Sequence, residues 1–191
     1  MRVTAIGGIP ASGKTSLMFR VIDRLSERAM PIYFKEGLVQ GYDYPALSTV
    51  ILGNYYDASD KFAGTDRMSM AAQPKVLEWL AHPRVCDTHV LYEGDRLFNK
   101  SFFEALTRMN IPFEIYALMV APEVAASRCI ARGSDQNTTF LKGRVTKITN
   151  VVKSFDVHVL PNDTIEEQQK NVDRILGVET IGNVRVHKVR E

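Results

Sequence analysis

Residues 8–15 read Gly-Ile-Pro-Ala-Ser-Gly-Lys-Thr, a complete G-x-x-x-x-G-K-[ST] phosphate-binding pattern, and no other stretch restricts folding as tightly. The pattern works only between a buried strand and a helix, and both are written around it. Val3-Thr4-Ala5-Ile6 reads as a short buried strand. Beyond Gly13, Leu17, Met18, Val21, Ile22 and Leu25 recur at helical spacing between the charged Arg20, Asp23, Arg24 and Glu27. Gly8 and Gly13 let the backbone turn tightly and aim N–H groups at phosphate oxygens, with Pro10, Ala11, Ser12 and Ser16 completing the cradle. Lys14 supplies a point charge for the β- and γ-phosphates, and the Thr15 hydroxyl is placed to ligate Mg²⁺. The positive end of the following helix faces the same anion. ATP with Mg²⁺ is the expected ligand.

The rest of the chain alternates strands and helices. Ile32-Tyr33-Phe34 reads as a second strand running into Lys35-Glu36-Gly37, and Val50-Ile51-Leu52 as a short strand or helix end. A helix is expected within 69–81, a strand at 89–92, a helix capped by Asn99, and a strongly apolar strand over 113–120. Helices follow from Pro122 to about Gly133 and within 140–154, then a strand at 156–160 and a helix over 164–176. The tail at 184–190 alternates apolar and basic residues like an edge strand. This order predicts an α/β fold, a three-layer doubly wound parallel sheet with ligands at the carboxyl ends of its strands. With 191 residues, one domain spanning 1–191 is expected, with 38–67 as a substrate-binding segment and 128–147 as a lid.

Three constellations fall at those carboxyl ends. Glu93-Gly94-Asp95-Arg96 closes a buried strand, where Glu93 or Asp95 can hold Mg²⁺ directly or through water, and where Arg96 points toward phosphate or substrate. Between 128 and 153, Arg128, Arg132, Lys142, Arg144, Lys147 and Lys153 face one acid, Asp135. Arg128 and Arg132 share a helix face ahead of a small, polar flap at 133–139. Together with Arg144 they suit closure over a triphosphate, whereas Lys147 and Lys153 read as a solvated face. The segment 38–67 is too long for a passive connection and carries Tyr42, Tyr44, Tyr55, Tyr56, Asp57, Asp60, Phe62, Asp66 and Arg67. Its aromatics, Tyr42 and Phe62 among them, offer faces for stacking a base. Its carboxylates, Asp57 and Asp66, can orient or deprotonate an acceptor hydroxyl, with Arg67 beside them. Glu36, just beyond the second strand and facing the phosphate loop across the cleft, is the other candidate base.

Composition narrows the alternatives. A charged fraction of 24% and a net charge of +2 permit a nucleic-acid partner without demanding one. Cys86 and Cys129 show no metal-ligand spacing and no disulfide framework, as expected of a cytoplasmic protein. The longest apolar run, 115–121, is too short to span a bilayer, so no membrane association is expected.

The phosphate loop, the strand-end acid and the arginine-rich flap resemble the small phosphate-loop kinases, in particular the phage polynucleotide kinases. In that family an acid after the second strand serves as base and an arginine-bearing helix leads into a lid. Glu36 stands near the acidic position, although Lys35-Glu36 replaces the usual Asp pair. Arg128-Cys129-Ile130-Ala131-Arg132-Gly133 is similar to the lid. More narrowly, 62–70 (Phe-Ala-Gly-Thr-Asp-Arg-Met-Ser-Met), Gln73-Pro74 and 91–98 (Leu-Tyr-Glu-Gly-Asp-Arg-Leu-Phe) look like motifs of phage-encoded kinases that phosphorylate 5-hydroxymethyluracil within DNA. The resemblance implies ATP·Mg²⁺ on the loop, Glu36 or Asp66 as base, and Lys14, Arg128, Arg132 and Arg144 around the migrating phosphoryl group. It also implies a DNA base flipped out or single-stranded, the lysine-rich helix and tail tracking the backbone, and residence in a host cytoplasm. Two alternatives stay open: a kinase for free nucleosides or nucleotides, and a regulatory ATPase with no acceptor.

Overall fold

A computed structural model describes residues 1–26, 32–36, 39–55, 63–131, 133, 138–181 and 184–187, with side chains described for all of these except 32–36, 39, 138–142 and 178–187. A seven-stranded sheet forms its centre. The strands are β1 (Arg2–Gly8), β2 (Ile32–Glu36), β3 (Val39–Tyr44), β4 (Thr49–Leu52), β5 (His89–Glu93), β6 (Phe113–Met119) and β7 (His158–Pro161), in the spatial order β2-β3-β4-β5-β1-β6-β7. The five strands β4 to β7 with β1 run parallel. The edge made by β2 and β3 is antiparallel.

This edge adds an antiparallel hairpin to the expected doubly wound parallel sheet. The second strand of the chain does not lie beside β1. It forms a hairpin with β3, and the segment 38–67, expected to bind substrate and to carry a short strand or helix end at 50–52, holds both β3 and the parallel strand β4. Its aromatic spacing explains why. Tyr42 and Tyr44 alternate along β3 and turn inward, each nearly inaccessible, as a strand with one buried face requires.

Period-two alternation splits the core into two layers. Val3, Ala5, Val50, Leu52, Val90, Tyr92 and Ile115 face α2 (Ala72–Leu80), α3 (Lys100–Arg108) and α5 (Thr138–Ser154). Ile6, Tyr42, Ile51, Leu91, Tyr116 and Leu118 face α1 (Lys14–Ser26) and α6 (Ile165–Leu176). The first layer is rich in aromatics. Phe103 packs edge-on against Phe98 and Phe155, with ring centroids 5.4 and 5.5 Å apart. Phe98 reaches so far under the sheet that a Cβ on Gly7 would lie 2.2 Å from its ring.

Helix ends follow their sequence signals. The Asn99 side chain accepts from the Phe102 N–H at 3.0 Å. Thr164 and Glu167 form a capping box at α6, which ends at Gly177 with φ 69°. The helix α4 (Pro122–Ala131) buries none of its side chains fully. The tail strands β8 (Val178–Ile181) and β9 (Val184–His187) pair with each other as a separate hairpin and do not extend the main sheet.

Candidate active site

The phosphate loop is shaped by three residues with positive φ: Gly8 at 151°, Ala11 at 63° and Gly13 at 88°. A side chain at Gly8 would come within 2.4 Å of Ser12 Oγ, and one at Gly13 within 2.6 Å of Asn162 Nδ2, so both positions need hydrogen. Asn162, fully buried after β7, donates from Nδ2 to the Ser12 carbonyl at 2.7 Å and itself accepts from Asn171 Nδ2 at 3.2 Å. The loop is thereby tied to the start of α6. Lys14 Nζ curls back to donate to the Gly8 and Ile9 carbonyls, at 2.9 and 3.2 Å. Ser12 Oγ is buried with no hydrogen-bond partner among the described residues. Pro10 is half-buried in the bend, and Ser16 is exposed in the first turn of α1. A concave run of N–H groups, a lysine with only its own loop to hold and an unpartnered serine hydroxyl together fit a triphosphate.

Beside the loop, Glu93 ends β5 at 1% exposure, and its Oε1 accepts from Thr15 Oγ1 at 3.1 Å. Burial pushes its carboxyl up to about 7. The Lys14 charge and the Thr15 hydrogen bond pull against that shift, while Asp66 and Asp95 reinforce it. Hydroxyl plus carboxylate at the loop's end is a donor set suited to Mg²⁺, which takes few protein ligands and completes its shell from water and phosphate. A glycine strap closes over this carboxylate. Gly64 (φ 73°) would place a Cβ 2.4 Å from Glu93 Oε1, and Gly94 (φ 111°) would place one 2.6 Å from Thr65 Oγ1. Thr65 Oγ1 in turn donates to the Glu93 carbonyl at 2.8 Å.

The strap brings in Asp66. Its Oδ1 accepts from the Arg96 N–H at 3.1 Å. Burial, and then the Asp95 charge, raise its carboxyl above the usual range, while Lys14, Arg144 and the Arg96 N–H draw it back. Asp66 opens onto a cleft of about 820 Å³ lined also by Gln73, Asp95, Arg96, Asn99, Arg144 and Lys147. Arg144 is 2.7 Å from Asp95 Oδ2, and Lys147 Nζ donates to the Asp95 carbonyl. Burial lowers the Lys147 ammonium below its usual range.

Several expected residues stand elsewhere. Tyr42 is 3% exposed, and its hydroxyl accepts from the Tyr55 N–H at 2.9 Å, so its ring belongs to the core and offers no stacking face. Glu36 ends the edge strand β2, four strand positions from β1, or about 19 Å at the usual strand spacing. Of the two candidate bases, Asp66 feels the charge of Lys14 on the loop, while the Glu36 backbone lies four strand positions away from β1. Arg67 is half-buried next to Asp66 and does not line the cleft. Arg128 reaches the loop from α4. Its guanidinium donates to the carbonyls of Ala11, Asn162 and Asp163, at 3.4, 3.0 and 2.9 Å. Asp57, Phe62 and Arg132 lie outside the described residues.

Lys147 and Asn162 are the site residues that sequence reasoning missed. Lys147 follows Arg144 by three residues, one helix face, which was the available signal. Asn162 stands between a strand and the Thr-x-x-Glu capping box of α6, where strand ends meet the loop.

A phosphate loop on the first strand of a largely parallel sheet, with a buried acid on the adjacent strand hydrogen-bonded to the loop threonine, defines a P-loop nucleoside-triphosphate-binding protein. The family model described as P-loop Nucleotide Kinase3 matches residues 1–175, and the chain belongs to that family. Two solved structures share the fold across most of their length. One is a sugar kinase from Janibacter sp. HTCC2649 (14% identity, TM-score 0.50, 92% of each chain covered). The other is a gluconokinase from Sinorhizobium meliloti 1021 (15% identity, TM-score 0.50, 91% of this chain and 92% of that one). A comparison with curated protein sequences finds no match. Among the described residues no helix is long and apolar enough to cross a membrane.

Proposed function

We propose that this kinase transfers the γ-phosphate of ATP to a hydroxyl of an acceptor lying in the cleft between α2, α3 and α5, with Asp66 as the base. The observation that carries the reading is convergence. Glu93 touches the phosphate loop through Thr15, the Asp66 charge raises the proton affinity of Glu93, and Asp66 opens onto a cleft of about 820 Å³. Lys14 would turn from its loop carbonyls to the triphosphate, and Thr15 and Glu93 would hold Mg²⁺, which would supply neutralisation of the phosphate charge. Asp66, kept in place by the Arg96 N–H and less acidic than an exposed aspartate, accepts the hydroxyl proton. Arg128 braces the rear of the loop, and Arg132 serves as a lid cation. Because the transition state is loose, positioning and charge carry most of the rate and the base a smaller share.

For the acceptor, the motifs at 62–70 and 91–98 support a 5-hydroxymethyl group of 5-hydroxymethyluracil in DNA, and both flank this cleft. The family's description as nucleotide kinases favours free nucleotides as the second reading. Transfer of radiolabelled γ-phosphate to a panel separates them: DNA containing 5-hydroxymethyluracil, DNA with 5′-hydroxyl ends, and free nucleosides and nucleotides. Label on the modified base supports the first reading, and label on mononucleotides alone the second. No labelled acceptor despite bound ATP refutes both. Asp66→Asn is expected to lower kcat by about 10²-fold with ATP affinity retained. An unchanged kcat removes Asp66 as base.

A further inference from the structure

The acceptor cleft contains more positive charge than phosphoryl transfer from the loop requires. Arg96 enters from the turn after β5. Arg144 and Lys147 enter from one face of α5. Asp95 draws both α5 cations inward, Arg144 through its carboxylate and Lys147 through its carbonyl, so neither swings into open solvent. The neutral polar groups nearby already satisfy one another. Gln73 Nε2 donates to Ser101 Oγ at 3.3 Å, Ser101 Oγ to Asn99 Oδ1 at 2.6 Å, and Asn99 Nδ2 to Gln73 Oε1 at 3.1 Å. A neutral polyol would have to break that ring of hydrogen bonds to be recognised. The cations have capacity to spare. Arg96 Nε is buried without a hydrogen-bond partner among the described residues. One terminal nitrogen of Arg96 rests on the weak acceptor Met70 Sδ, and the other makes only a long 3.4 Å bond to the Asp66 carbonyl.

We propose that Arg96, Arg144 and Lys147 form a seat for a phosphate group of the acceptor, which holds the reacting hydroxyl toward Asp66. The inference rests on the kinase reading above and narrows it: the acceptor is a phosphate-bearing nucleotide or nucleic-acid strand, not a neutral nucleoside or sugar. Two guanidinium forks and an ammonium match the oxygens of a phosphate, and the two carboxylates facing them, Asp66 and Asp95, leave the cleft with one positive charge in excess. Arg144 is thereby assigned to the acceptor and not to the triphosphate.

Calorimetric titration tests this, with Mg²⁺ and a saturating non-hydrolysable ATP analogue covering the phosphate loop. Thymidine, thymidine 5′-monophosphate and a short single-stranded thymidine oligonucleotide are the probes. The monophosphate or the oligonucleotide is expected to bind at least about tenfold more tightly than thymidine. Arg96→Gln and Lys147→Gln should each remove about tenfold of that preference, and Lys147→Arg should restore most of it. Preference for the monophosphate identifies free nucleotides as the source of the phosphate, and preference for the oligonucleotide a strand. Binding of neither the monophosphate nor the oligonucleotide more tightly than thymidine overturns the seat, as does failure of both phosphate compounds to bind. Gln variants that weaken only the ATP analogue also overturn it, by moving the cations to the triphosphate. If the analogue itself fails to bind, the kinase reading falls. The seat is then still read by titrating the monophosphate into Lys14→Ala protein, whose loop has lost its own phosphate-binding cation.

Discussion

Glu93→Gln should make the protein more stable and the enzyme inactive, and the size of the first effect follows from the site. The Glu93 carboxyl is pushed up to about 7 by burial, against an ordinary value of 4.5 in an unfolded chain. Between those values the unfolded chain gives up a proton that the folded protein keeps. Stability therefore falls as pH rises through the window from 4.5 to 7, and the full penalty, about 3 kcal/mol, is present above it. Glutamine has the same shape, can still accept from Thr15 Oγ1 through its amide oxygen, and never ionises. In metal-free buffer, urea unfolding should show the variant about 3 kcal/mol more stable than wild type near pH 8, and less than about 1 kcal/mol more stable near pH 5. Adding ATP with Mg²⁺ should narrow the difference, because only wild type offers the carboxylate, while phosphoryl transfer by the variant should be at background. A stability difference that stays flat from about pH 5 to pH 8 would refute the electrostatic account of Glu93.

Lys14→Ala should abolish phosphoryl transfer with an unchanged circular-dichroism spectrum, since its bonds to the Gly8 and Ile9 carbonyls lie within its own loop and tie no two elements together; full activity would remove the foundation of the site. Gly94→Ala puts a Cβ 2.6 Å from Thr65 Oγ1 at a φ of 111°, so thermal unfolding should show a loss of about 1–3 kcal/mol, and displacement of Asp66 should lower kcat. Asn162→Ala leaves the buried Ser12 carbonyl without its 2.7 Å partner. It should cost about 1–3 kcal/mol and weaken ATP about tenfold, with acceptor KM unchanged.

The phosphate loop, the helix it opens, the buried strand ending at Glu93 and the Asn99 and Thr164 caps were legible because each is a local pattern with a local cause. The edge hairpin was not. Ile32-Tyr33-Phe34 shows a strand, but no residue in it says whether the next strand pairs antiparallel beside it or crosses over; that is decided by Tyr42 and Tyr44 burying against α1 and α6, a contact between distant elements. Tyr42 was misread for a related reason. An aromatic next to carboxylates has the same composition in a core as on a binding surface, and only the pleat tells them apart. Lys147 looked like one more exposed lysine because its partner, the Asp95 carbonyl, is 52 residues away and carries no side-chain signature.

The same hairpin explains why the resemblance to polynucleotide kinases points to two acids and the geometry to one. In a fully parallel doubly wound sheet the second strand lies near the first, and an acid at its end faces the phosphate loop. Here β2 and β3 lie outside β4, so Glu36 keeps its place at the carboxyl edge but on a strand four positions from β1. The strand that does flank the site is β4, and the chain leaving it returns to bridge Asn54 to Gly64. That bridge sets Thr65 against the Glu93 carbonyl and Asp66 against the Arg96 N–H, both within one turn of the buried acid. Two glycines with positive φ, Gly64 and Gly94, make the approach possible, each at a point where a methyl group would collide with the other side of the strap. Close approach therefore costs conformational freedom at both positions, and what it gains is a second carboxylate close enough to the first for the Asp66 charge to raise the proton affinity of Glu93. A fold selected for stability alone would separate those charges. Their juxtaposition beside the phosphate loop is the physical argument behind the proposal that Asp66 is the proton acceptor.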